Sequence, residues 1–185
     1  MADVELHPVD FDEPIGLFGT DPEDVAAIAA MEKECAAEYN RGFLTRPDII
    51  VDKFYVNGGD HEDVSFIDIL SPGHYFGPDV RAWFNFISPQ FEAKFDLRNM
   101  RIFAKNGVGF VYMNQFYEGQ LQDGRPLFWK MRQTDAVEKI DGEWKILHTH
   151  LSFSADPKDL DPYKWSIDLE LAPRPQPWTV EKPYA

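Results

Sequence analysis

Along the 185-residue chain a mainly helical hydrophobic period gives way, about midway, to a sustained alternating one. From Thr20 the period is helical. Val25, Ile28, Ala29, Glu32, Cys35, Ala36 and Tyr39 recur at the spacing of one helix face. The segment Thr20-Asp21-Pro22-Glu23-Asp24 in front of them supplies a capping residue, a proline for the first turn and acids at the positive end of the helix dipole. Gly42 predicts the end of this helix. Arg46-Pro47-Asp48 opens a second, short helix through Ile49, Ile50, Phe54 and Tyr55, and Asn57-Gly58-Gly59-Asp60 breaks it. Alternation from Asp63 to Leu70 predicts a strand, Ser71-Pro72-Gly73 a turn and His74 to Gly77 a short return strand. A third helix starts at Pro78-Asp79, carries Val80, Trp83, Phe84 and Ile87 on one face, and ends at Pro89.

From Phe95 the period becomes two. Strands are predicted over Phe95 to Ala104, Val108 to Glu118, Leu127 to Ile140 and Trp144 to Phe153. Lys105-Asn106-Gly107, Gln122-Asp123-Gly124 and Asp141-Gly142 separate them, and Asn-Gly and Asp-Gly are strong hairpin signals. Helices followed by an antiparallel meander predict an α+β fold. A bent, cone-shaped antiparallel sheet packs on three N-terminal helices and leaves an open mouth. The expected organisation is an irregular arm over residues 1–19, one cone domain over 20–157 and a Pro-rich extension over 158–185 that wraps the surface or a partner subunit.

Composition adds a pocket to this picture. Fifteen Phe, seven Tyr and five Trp supply more ring surface than a core of this size needs, which fits either an aromatic core or a site for a flat apolar ligand. The net charge of −14, with no basic stripe, excludes nucleic acid and anionic membrane surfaces as partners. No apolar run approaches a membrane span, and residues 1–13 lack the basic and apolar regions of a signal peptide. The single cysteine, Cys35, cannot form an intrachain disulfide, so a cytoplasmic location is expected. Its acidic neighbours Glu32, Glu34 and Glu38 would raise its thiol pKa and argue against a nucleophile.

The stretch from Arg132-Gln133-Thr134-Asp135 through Asp141-Gly142-Glu143-Trp144-Lys145-Ile146 to His148-Thr149-His150-Leu151-Ser152 resembles the last hairpin of SnoaL-like, nuclear-transport-factor-2-like domains. Those domains run Arg-x-Thr, Asp-Gly-x-Trp-x-Ile and His-x-His-x-Ser. Upstream, Phe66-Ile67-Asp68, a Pro-Gly turn, Gly77 and an aromatic helix face share the rhythm of the same family. The resemblance covers about Pro22 to Pro157. It implies the cystatin-like cone and no single function, because the fold hosts isomerases, dehydratases, cyclases, lyases, epoxide hydrolases and assembly domains.

A two-residue hairpin loop sets Ile140 opposite Glu143, and hence Asp135 opposite His148 and Gln133 opposite His150. Trp129, Met131, Gln133, Asp135 and Val137 then share a face with Trp144, Ile146, His148, His150 and Ser152. This more aromatic face is expected inside the cone, and a bulge would reverse the assignment beyond it. An Asp135–His148 pair would either move protons near neutral pH or satisfy two half-buried polar groups structurally. His150 reads as a structural feature of the family's last strand, with a place in the lining. By resemblance to ketosteroid isomerase, Asp68 falls near a general base and Tyr39 near an oxyanion-stabilising tyrosine. The plainer readings are a turn-capping acid and a packed helix face. His74 is expected to overhang the mouth. Tyr112 and Asn114, on one face with Phe110 and Phe116, offer a hydroxyl and an amide among rings, and Trp129 completes the expected substrate lining.

His148 and His150 at i, i+2 could chelate with Asp135, but this His-x-His is the common family ending, and neither a metal nor a cofactor is expected. No phosphate loop, dinucleotide fingerprint or Gly-x-Ser-x-Gly elbow occurs. The expected function is a cofactor-independent acid–base enzyme: a lyase, isomerase, dehydratase or cyclase. Its substrate would be a hydrophobic, aromatic or polycyclic small molecule, a class that includes plant-derived aromatics. The alternatives are a non-catalytic ligand-binding or oligomerisation domain and the small subunit of an aromatic-ring dioxygenase. For the first, Asp135 and Leu151 stand where the association domain of calcium/calmodulin-dependent kinase II has arginines, which argues against a carboxylate-binding pocket of that kind and leaves scaffolding open. Against the second, Val25 to Tyr39 lacks that family's acidic, Leu-rich first helix. Apolar strand faces predict a homodimer or homotrimer.

Overall fold

The computed structural model describes residues 14–42, 47–70 and 73–153. Three helices, α1 (Pro22–Gly42), α2 (Asp48–Phe54) and α3 (Pro78–Ile87), pack on one face of a seven-stranded sheet. The strands are β1 (Ile15–Gly16), β2 (Ser65–Ile67), β3 (His74–Phe76), β4 (Phe91–Lys105), β5 (Val108–Leu121), β6 (Pro126–Ile140) and β7 (Glu143–Phe153). Their order across the sheet is β1-β4-β5-β6-β7-β2-β3. The meander and the β2–β3 hairpin are antiparallel, as the turn signals require. The sheet as a whole is mixed, because β1 runs parallel to β4 and β2 parallel to β7.

Residues 14–19, expected as irregular arm, contribute β1, whose Ile15 and Gly16 pair with Arg101 and Ile102. Residues 1–13 of that arm, Ser71 and Pro72 of the predicted turn, and the Pro-rich extension lie outside the described residues.

Helix α3 buries the face its spacing predicts, Val80, Trp83, Phe84 and Ile87. Helix α1 buries Ile28, Ala29, Cys35 and Ala36, and carries Glu32 into the same core. The sheet bends around these helices at two bulges. In β4 the register slips between Arg98 and Arg101, with Asn99 at a positive φ of 55°. In β7, Ile146 pairs with Val137 and His148 with Ala136, so Leu147 is the extra residue. Strand β5 hugs β4 so closely that a Cβ at Gly119 would sit 2.0 Å from the Glu92 carbonyl oxygen. Among the described residues, no helix is long and apolar enough to cross a membrane.

Candidate functional site

Inside the cone, between the three helices and the inner face of β4 to β7, lies a cavity. Its non-atom space is about 690 Å³ counted out to the mouth, but only about 50 Å³ admits the centre of a water-sized sphere. One water needs roughly 10–15 Å³ by that measure, so the space suits a few waters or a monocyclic ligand of similar bulk. Rings form much of the wall. Tyr39 stacks on Phe95 at 4.8 Å between centroids, and Tyr117 meets Phe95 edge-on at 5.0 Å and Trp129 at 6.0 Å.

Asp68 lines the cavity just beyond β2 and is half-buried. Its local turn is closed by its own N–H donating to the Gly73 carbonyl at 2.8 Å, with Gly73 at a φ of +83° that favours glycine. The Leu70 N–H donates to Oδ1 at 2.8 Å, and the Trp83 indole N–H donates to Oδ2 at 3.0 Å. Burial lifts this carboxyl to about 6, against the hydrogen bonds that hold it down. The Tyr117 phenol is held well above its ordinary range, first by burial and then by the Asp68 charge. Tyr39 is raised first by burial and then by Tyr117. Tyr117 is therefore within electrostatic reach of both Asp68 and Tyr39.

A second polar group lies deeper. Glu32 is 1 % exposed and lines the cavity, whereas Asp135, 0 % exposed, lies behind Gln133 and Thr149. Thr149 Oγ1 donates to Asp135 Oδ1 at 2.5 Å, and Gln133 Nε2 donates to Oδ2 at 2.6 Å. Thr149 has one proton and spends it on Asp135, so Tyr55 donates its hydroxyl to Thr149 Oγ1 across 2.9 Å. Burial lifts Asp135 to about 7 in spite of these donors. Glu32 is driven well above the carboxylate range, first by burial and then by the Asp135 charge. Two acids in one dry pocket do not ionise together. Asp135, with two donors, takes the charge, and Glu32 keeps its proton. Burial first, then Glu32, Asp135 and Glu38, raise the Cys35 thiol, which is no thiolate nucleophile.

Residues 53–156 match the family of SnoaL-like domains. The chain belongs to that family. Solved structures share its nuclear-transport-factor-2-like, cystatin-like fold. A candidate calcium/calmodulin-dependent protein kinase II association domain from Xanthomonas campestris is 17% identical with a TM-score of 0.60, over 82% of this chain and 98% of that one. A candidate aromatic ring hydroxylase from Novosphingobium aromaticivorans is 18% identical with a TM-score of 0.61, over 74% and 92%. The association domain of the kinase from C. elegans is 10% identical with a TM-score of 0.53, over 71% and 96%. Identities this low show the fold alone. No curated protein matches the chain.

The SnoaL-like domain does not form the expected Asp135–His148 pair. Its last hairpin begins as predicted, with Ile140 opposite Glu143, but the Leu147 bulge then puts Asp135 opposite Thr149, Ala136 opposite His148 and Gln133 opposite Leu151. The bulge turns Thr149 and Leu151 inward and leaves both histidines on the outer face. His150 is exposed, and half-buried His148 has Nδ1 2.7 Å from Ser65 Oγ. Burial first, then His150 and His74, hold the His148 imidazole below its ordinary value. His74 shares that outer face on β3, where Tyr75 takes the buried side, so it does not overhang the cavity.

Tyr112, Asn114 and Phe116 do share a strand face, but it is also the outer one. Val111, Met113, Gln115 and Tyr117 point inward instead. Phe116 lies under the Lys130 ammonium, 5.5 Å from its ring centroid. Of the predicted set, the cavity brings together Asp68, Tyr39 and Trp129, with Asp135 behind its wall. Glu32, Tyr55, Gln115, Tyr117 and Thr149 are additional polar groups there. Only Glu32 carried a signal in the sequence, an acid inside an apolar helical stripe. Among the described residues, no three His, Cys, Asp or Glu are grouped to hold a metal ion.

Proposed function

We propose that this SnoaL-like domain is a cofactor-independent acid–base enzyme. It moves a proton on a small, largely apolar aromatic molecule, as an isomerase, dehydratase, cyclase or lyase does, with Asp68 as general base. The observation that carries this reading is the setting of Asp68: a half-buried carboxylate in an aromatic cavity, lifted by burial to about 6. Such a group is ionised at neutral pH yet holds a proton better than a surface aspartate, which suits a base. Tyr117 and Tyr39, raised well above their usual range, keep their protons. They can donate to a substrate oxygen on which negative charge develops. His148 and His150, on the outer face, take no part in this step. Asp135 acts through Gln133 and Thr149 as a positioning residue.

The test is solvent-deuterium exchange into the α-carbon of monocyclic enolisable ketones, followed by proton NMR. Asp68→Asn is expected to slow exchange by about 10²–10⁴-fold with the fold retained. Because the carboxylate is the active form, kcat/KM should rise with pH through about 6 and then level off. Exchange unaffected by Asp68→Asn would remove this assignment. Assembly is a second reading that the first does not exclude. Two of the solved relatives named above are association domains or candidates for one, and the outer sheet face exposes Phe110, Tyr112 and Phe128. We read that face as the contact of a homo-oligomer.

A further inference from the structure

We infer that the deep end of the cavity binds the ammonium group of a small arylalkylamine, so that the substrate is a monocyclic aromatic carrying a protonated amine. This rests on the catalytic reading of the cavity and names its substrate class. Glu32 Oε1, Gln115 Oε1 and Gln133 Oε1 are buried without a hydrogen-bond partner. Their residues are 1 %, 3 % and 8 % exposed and all three line the cavity. The Gln133 orientation follows from its partner: Nε2 donates to Asp135, so the oxygen is the atom left over. Buried acceptors are rarely left unmatched in native proteins. The Gln115 and Gln133 oxygens are acceptors, and so is the Glu32 oxygen once its proton has left, so the missing group is a donor.

Charge narrows the choice. None of the described residues lining the cavity is Lys, Arg or His, so no cation within the wall answers Glu32 and Asp135. An ammonium has three N–H donors and no acceptor, which matches three acceptors, whereas a carboxylate or phosphate would meet them unpaired. In the free protein Glu32 holds a proton. Binding of the ammonium stabilises the ionised form, so one proton leaves Glu32 for solvent as the complex forms.

Benzylamine, benzyl alcohol and benzoate have the same ring and differ in the head group, and calorimetric titration at pH 8 compares them. Benzylamine should bind at least about tenfold more tightly than benzyl alcohol, as expected for charge-assisted hydrogen bonds, and benzoate should show no binding. Titration in two buffers of different ionisation enthalpy should reveal proton release with benzylamine alone. Glu32→Gln and Gln115→Met should each weaken benzylamine by a larger factor than benzyl alcohol, and Gln115→Met decides the matter if Glu32→Gln does not fold. Equal binding of benzyl alcohol or benzoate, no binding of benzylamine, or folded variants that bind it like wild type would overturn the inference. Wild-type protein that shows no amine preference but exchanges ketones sinks this inference alone. Exchange lost with the preference retained sinks the catalytic reading alone.

Discussion

The buried acids set the chemistry at the scale of single residues. Asp135 in the folded chain titrates near 7, against an ordinary value of 3.8. Its folded pKa is raised, so the unfolded chain releases this proton first. Asp135 therefore costs nothing below pH 4 and destabilises progressively as pH rises towards 7. Asp135→Asn removes that cost. Between pH 4.5 and 8 the stability of the variant relative to wild type should climb by on the order of 3 kcal/mol, since each tenfold change in proton affinity is worth about 1.4 kcal/mol. Urea denaturation midpoints at pH 4.5, 6 and 8 measure it, and parallel pH curves for the two proteins would contradict it. The gain is bounded by Thr149 and Gln133, whose donors lose a charged acceptor.

Among the elements, the site depends on how tightly the sheet curls. Gly119 of β5 lies on the inner side of the strand, against the β4 backbone. An added methyl there would meet the Glu92 carbonyl, which belongs to the strand ladder and cannot rotate away. Gly119→Ala should thus force β4 and β5 apart and cost about 1–3 kcal/mol, the usual range for overpacking. Thermal unfolding should show the loss, and an unchanged melting temperature would mean that the close approach is not required. The bulge at Leu147 is the other decisive local feature. It exchanges the two faces of β7 in the middle of the strand, so that Thr149, not His148, reaches Asp135.

The whole molecule combines a net charge of −14 with an outer sheet face that exposes Phe110, Tyr112 and Phe128. Apolar contact would draw two copies together through that face, and like charge would hold them apart. Salt screens only the second effect, with a Debye length falling from about 30 Å at 0.01 M to about 8 Å at 0.15 M. Sedimentation should therefore show the oligomeric fraction growing between low and physiological salt. Phe110→Glu should abolish it at both. A monomer at every salt concentration, or a variant that associates like wild type, would rule out this face as the contact.

Local chemistry written in the chain is enough to set the elements and their class. Caps and turns such as Thr20-Asp21-Pro22, Gly42, Asn106-Gly107 and Asp141-Gly142 act over a few residues, and the three helices and four long strands begin and end close to them. The same local reading places Asp68, Tyr39 and Trp129 in the cavity, from a turn, a helix face and an alternating strand. Which face of a strand turns inward depends instead on packing in three dimensions. Both faces of β5 carry rings, Phe110, Tyr112 and Phe116 on one and Tyr117 on the other, so composition does not separate them. On β7 a single bulged residue reverses the alternation, and nothing in Ile146-Leu147-His148 marks it locally. A period of two preserves the spacing of side chains but not their side of the sheet. Packing against α1 and α2 selects that side on β7, and with it the choice between His148 and Thr149 beside Asp135.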